Sequence, residues 1–149
     1  MKHYFAPVPP VHLESAIATF NRVGRVAFGS NQIELFETLK RASATVWIGA
    51  STGYVPTGGV PGINIGKVLY RTRLSGAVMG DNRGRHPEPD LRPATTLTDG
   101  AFTFFYELRD LVALVPPIPS ANLTRAGGGK IETSPHFLVE IVEPELPNP

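Results

Sequence analysis

Two β-type runs, ATVWIGAS (44–51) and KVLYRTRLSGAV (67–78), flank a stretch crowded with glycine and proline, TGYVPTGGVPGINIG (52–66). The second run alternates. Val68, Tyr70, Thr72 and Leu74 share one expected face, and Leu69, Arg71, Arg73 and Ser75 share the other. A period of two marks a strand, because successive side chains leave it on opposite sides. One face is then expected to be core and the other at least partly solvated. With 15 glycines, 15 prolines and only 18% charged residues, the chain favours short strands and tight loops over a helical bundle.

The rest of the chain supplies elements around this centre. His3 to Val8 reads as a short strand ended by Pro9 and Pro10. Val11 to Asn21 reads as a helix with Leu13, Ala16, Ile17 and Phe20 on one face, and Gly24 stands where it would stop. Val26 to Phe28 suits a very short strand. Asn31, with Glu34 three residues on, is placed to cap a second helix carrying Ile33, Phe36 and Leu39 on its apolar face. Gly80 to Gly100 is polar, turn-rich and long for a structureless connection, so it is expected to be functional or mobile. Ala101 to Val115 alternates again: Phe102, Phe104, Tyr106 and Leu108 against Thr103, Phe105, Glu107 and Arg109. Pro116, Pro117 and Pro119 are expected to end it. Ser120 to Leu123 suits one helical turn, Phe137 to Val142 a last strand, and the tail ELPNP should fray. The length of 149 residues suits a single domain, 1–149, able to bury a core without metals or disulfides.

The formal net charge of +1 hides a gradient. Up to Ser75, Lys2, Arg22, Arg25, Lys40, Arg41, Lys67, Arg71 and Arg73 face only Glu14, Glu34 and Glu37; from Gly76 onward acidic residues outnumber basic ones. A basic half could face phosphate, although an ordinary mixed surface is the stronger reading on charge alone. The absence of cysteine excludes a disulfide scaffold, a cysteine-ligated zinc and a thiol nucleophile. It fits a reducing, cytoplasmic setting. No stretch is apolar and long enough to span a bilayer, and MKHYFAPVPP lacks the apolar segment of a secretory signal. No membrane partner is expected.

Four motifs carry chemistry on paper. Gly49-Ala50-Ser51-Thr52-Gly53 matches the G-x-S-x-G nucleophile elbow, but an elbow leads into a helix and Tyr54-Val55-Pro56 follows here. Gly127-Gly128-Gly129-Lys130 echoes a phosphate loop, with Ile131 where serine or threonine would hold magnesium; a flexible hairpin loop is the better reading. His86-Pro87-Glu88-Pro89-Asp90 gathers oxygens around one imidazole, short of a closed metal site, and reads as a solvated loop. His3, His12 and His136 are scattered. Neither a metal nor a cofactor is called for. Trp47, Tyr54, Tyr4 and Phe5 are candidates for stacking a base, and for Trp47 a plain core position is the stronger reading. Arg71 and Arg73 could contact successive phosphates, or face solvent.

The order HYFAPV, NQIELFETLKRASATVWIGAS, GKVLYRTRLSGAV and FTFFYELRDLVALVPPIPSANL resembles the PUA-like superfamily, most nearly its EVE, ASCH and YTH-type branches. The resemblance implies a small pseudo-barrel with a ligand pocket beside the core strand. Asn31 would open the helix lining that pocket, Ser51 would make a polar ligand contact, and Tyr4 or Phe5 would come from the first strand. Ala42-Ser43 replaces the family's Gly-Asp turn, and a tryptophan cage is missing because Trp47 is the only tryptophan. The expected fold is therefore mainly β with α (α+β): a small, partly open β-barrel with two N-terminal helices, or, second, an open α+β sheet. The expected function is a nucleic-acid-binding module, with RNA or DNA as partner, reading a modified base near Asn31, Ser51 and Tyr54. The alternatives are a small hydrolase or amidohydrolase acting on a modified nucleoside, with Ser51 or Thr52 as nucleophile and Lys40 or Glu107 as base, and a non-catalytic interaction subunit.

Overall fold

The structure, a computed structural model, describes residues 1–51, 66–97, 101–131 and 137–146. Thr52, Gly53, Tyr54 and His136 lie outside them. The strands are β1 (Lys2–Val8), β2 (Arg25–Ser30), β3 (Ala44–Ala50), β4 (Lys67–Met79), β5 (Phe104–Pro119) and β6 (Val139–Ile141), and the helices are α1 (Pro10–Val23) and α2 (Phe36–Arg41). They form one mixed sheet in the order β2-β5-β4-β3-β1-β6. β1 and β3 run parallel and every other pair is antiparallel. A parallel pair needs a crossover, and α1, β2 and α2 supply it.

Every residue of β3 is buried. Ala44, Val46, Ile48 and Ala50 join the main core with Tyr4, Leu13, Phe20, Leu39, Phe104 and Leu108. Helix α1 begins at Pro10, whose missing N–H costs nothing in a first turn. It ends at Gly24, left-handed at φ 76°, whose N–H bonds Phe20 O at 2.8 Å. On the opposite face of the sheet lie two smaller apolar clusters. One holds Phe5, Trp47, Val68, Ile118, Leu123 and Val139; the other holds Ala27, Leu91, Phe102 and Phe105.

Three local expectations are corrected. Asn31 does not cap a helix: its Oδ1 accepts from both the backbone N–H and the hydroxyl of Thr103, at 2.8 and 3.1 Å. The next residues form a single 3₁₀ turn, Ile33–Leu35, before the six-residue α2, and Ile33 stays 51% exposed. The proline run does not end β5, which pairs with β4 as far as Lys67↔Pro119. Beyond Arg109 the other side of β5 has no partner strand among the described residues, so a proline there removes no ladder bond from a neighbour. Finally, a β-bulge between Val68 and Tyr70 shifts the register of β4. Val68 therefore lies with Phe5 and Trp47, while Leu69 packs with Tyr70 against the main core.

The sheet is open, with β2 and β6 at its edges. One side chain reaches across. Gln32, two residues past β2, donates from Nε2 to Leu138 O at 3.0 Å and accepts from Leu138 N–H at 2.7 Å, just ahead of β6. Its carboxamide thus stands in for one rung of backbone. Gln32→Ala is expected to lower the unfolding free energy by about 2–3 kcal/mol, since two hydrogen bonds go and two backbone groups lose partners. Urea denaturation reads this directly, and an unchanged midpoint would mean that the link is idle.

The stretch after β4 is built rather than loose. Residues 80–97 contain 3₁₀ turns at Pro89–Leu91 and Ala94–Thr96. They are tied to α1 through Arg22 Nη2 to Asp90 O (2.9 Å) and His12 Nδ1 to Thr95 Oγ1 (2.8 Å). No helix among the described residues is long and apolar enough to cross a membrane.

Candidate nucleic-acid interface

The strand register assembles a feature that the linear sequence hides. Arg25 of β2 pairs with Arg109 of β5, Arg109 pairs with Arg73 of β4, and Arg73 pairs with Thr45 of β3. Residues directly opposite in a sheet share a face, and like charges so placed repel. Neighbouring strands are about 4.8 Å apart, so three guanidinium groups leave the sheet within roughly two strand spacings. Arg71 follows on β4, opposite Trp47 and Val112. All four arginines are exposed. They lie on the face away from the helices, between the two small clusters.

Little neutralises this strip. Arg71 and Arg73 make no hydrogen bond or ion pair among the described residues. Arg25 Nη2 is 3.7 Å from Glu88 Oε2, and Arg109 Nε is 3.8 Å from Asp110 Oδ2; all four side chains are about half exposed or more. Pairs of that length and exposure contribute about 0–1 kcal/mol each. Arg71 and Arg73 thus share a face as expected, and the register adds Arg25 and Arg109. The alternation of Phe105, Glu107 and Arg109 placed Arg109 on a face. Which strand would lie opposite depends on bulges that leave no period in the sequence.

The aromatic candidates divide. Tyr4 lies in the main core and Phe5 with Trp47 on the other face. All three are buried, Trp47 to 3% exposure, so none offers a free ring for stacking. Trp47 Nε1–H donates to His3 Nδ1 at 3.1 Å. The His3 ring proton is thereby placed on Nε2, which lies 3.9 Å from Glu143 Oε1. The Tyr4 hydroxyl is buried without a hydrogen-bond partner among the described residues; burial, then the negative charge of Glu140, hold it above the usual tyrosine range.

A cavity of about 20 Å³ is lined by Pro7, Val8, Pro9, Phe28, Phe102 and Tyr106, among others; Asn31 and Ser51 are not among its lining residues. Ser51 N–H bonds Val8 O at 2.9 Å, and Asn31 holds Thr103 beside Phe102. The cavity is water-sized. Burial pushes the Tyr106 phenol well above its ordinary range, so it meets the cavity protonated.

Among the described residues the groups needed for hydrolysis are not gathered. Ser51 Oγ is buried with no hydrogen-bond partner among the described residues. Lys40 sits over the Phe36 ring at 5.7 Å. Glu107 Oε2 is 2.7 Å from His86 Nε2. An unassisted hydroxyl is a weak nucleophile. His86 itself, read from sequence as part of a solvated loop, is 3% exposed. Its Nδ1 accepts the Glu88 N–H at 2.8 Å, so the ring proton sits on Nε2 and goes to Glu107. Both nitrogens are occupied, and neither is left to act as a base. Among the described residues no three His, Asp or Glu side chains are grouped to hold a metal ion. The Gly127–Gly129 run closes a tight turn, with Gly128 N–H on Arg125 O at 2.9 Å and glycines 128 and 129 at φ 90° and 92°.

No model of a known protein family matches the chain, and no curated protein matches it.

Proposed function

We infer that this chain is a nucleic-acid-binding module that grips the phosphate backbone of RNA or DNA through Arg25, Arg71, Arg73 and Arg109. The observation that carries this reading is the cross-strand row Arg25–Arg109–Arg73. Three like charges in register weaken an isolated sheet, and a polyanion laid across them converts that repulsion into binding. Guanidinium groups suit the task because their fork matches phosphate oxygens. The resemblance to PUA-like domains agrees with this reading. In it, the Gln32 bridge makes the open sheet a partly open barrel, and the cysteine-free chain works in the cytoplasm. Base recognition, of a modified base included, belongs to the small cavity lined by Pro7–Pro9, Phe28 and Phe102. At about 20 Å³ that cavity admits a base only if Pro7–Pro9 and Phe102 part.

Fluorescence polarisation with labelled single-stranded RNA, single-stranded DNA and duplex DNA tests the proposal. Binding at low salt is expected, with log K falling against log salt at a slope near −3 on single strands, as about four neutralised phosphates require. No binding at low salt, or binding indifferent to salt, would end it.

A further inference from the structure

Resting on that reading, we propose that Glu88 is a built-in competitor for the phosphate site, occupying Arg25 until a nucleic-acid phosphate displaces it. Three observations support the assignment. The Glu88 carboxylate is 3.7 Å from the Arg25 guanidinium, with the two side chains 64% and 45% exposed. It is near enough to screen the charge and open enough to be exchanged. The backbone of Glu88 is pinned, because its N–H is held by the buried His86 ring and that ring is held by Glu107 of β5. The acidic residue is therefore presented to the strip by a fixed support. The third observation is the contrast along the row: Arg25 at one end carries this carboxylate, whereas Arg73 has no anionic partner among the described residues.

Glu88 accordingly sets how strongly the row holds an anion. With Glu88 in place, a bound phosphate must expel a carboxylate at Arg25 before it gains the third arginine of the row. Glu88→Gln keeps the backbone N–H that His86 accepts, so it leaves the fold in place and removes the negative charge alone.

The test measures a fluorescein-labelled single-stranded oligouridylate against wild type, E88Q and D90N across a salt series. D90N removes an equal charge two residues away on the same turn, from a carboxylate that pairs with no arginine among the described residues. E88Q is expected to bind about three- to fivefold more tightly with the salt slope still near −3, since the same phosphates are neutralised. D90N is expected to change affinity by less than about twofold. In an R25A background the gain from E88Q should vanish, as a pairwise coupling demands. Wild-type binding that E88Q leaves unchanged, or changes no more than D90N does, overturns this proposal and leaves the nucleic-acid reading standing. No binding by any of the three proteins overturns both.

Discussion

Reversing Arg73 and Arg109 together to glutamate is expected to weaken single-strand binding at least about 100-fold and to flatten the salt slope by about 1.4. Each lost phosphate contact removes about 0.7 from the slope on a single strand, and each new carboxylate adds repulsion where attraction was. Folding should survive. Both side chains are exposed, surface changes usually stay within about 0.5 kcal/mol, and the reversal breaks up a row of like charges. The charge-preserving pair R73K/R109K should retain most of the binding with looser geometry. Polarisation titrations paired with thermal melts separate the outcomes. A double reversal that binds like wild type would remove the strip from the interface, whatever the salt dependence.

Gly49→Ala is expected to lower the unfolding free energy by about 3 kcal/mol and Tm by roughly 6–12 °C for a chain of this size. A Cβ there would stand 2.7 Å from Phe5 Cε1 and 2.8 Å from the Lys67 carbonyl oxygen. The first is a ring with 1% exposure and the second is backbone of the neighbouring strand, so neither yields easily. Ser51→Ala, two residues on, is expected to leave stability unchanged or raise it by about 1 kcal/mol, because it deletes a buried hydroxyl without a partner among the described residues. The first glycine of G-x-S-x-G thus has a packing explanation: it lets Phe5 and β4 close on β3. A Ser51→Ala protein that loses an activity of the wild type, with its stability intact, would give the serine a chemical role.

Periodicity was legible wherever one local rule governed. The 3.6-residue spacing of Leu13, Ala16, Ile17 and Phe20 and the glycine at 24 marked α1. The alternation from Phe104 to Arg109 sorted β5 between the main core and the face shared by Phe105, Glu107 and Arg109. The readings that changed are those where a distant group outcompeted a local one. Asn31 had a helix to cap nearby and bonded Thr103 instead, 72 residues away. Val68 had a strand period to follow, and a bulge placed it with Trp47. His86 stood in a segment of charge and proline, yet it found Glu107 and the edge of Phe105 at 5.3 Å.

The candidate site divides along the same line. That Arg71 and Arg73 share a face follows from the strand period, a property of covalent geometry and so readable from the chain alone. That Arg25 and Arg109 join them, that Glu88 guards one end, and that Trp47 lies buried against His3 all depend on register. Register is settled by bulges, by the sum of core contacts and by side chains such as Gln32 that bridge strands far apart in sequence. Those energies exist only once the chain has closed on itself, which is why four arginines spread over 85 positions become one surface only in the folded protein.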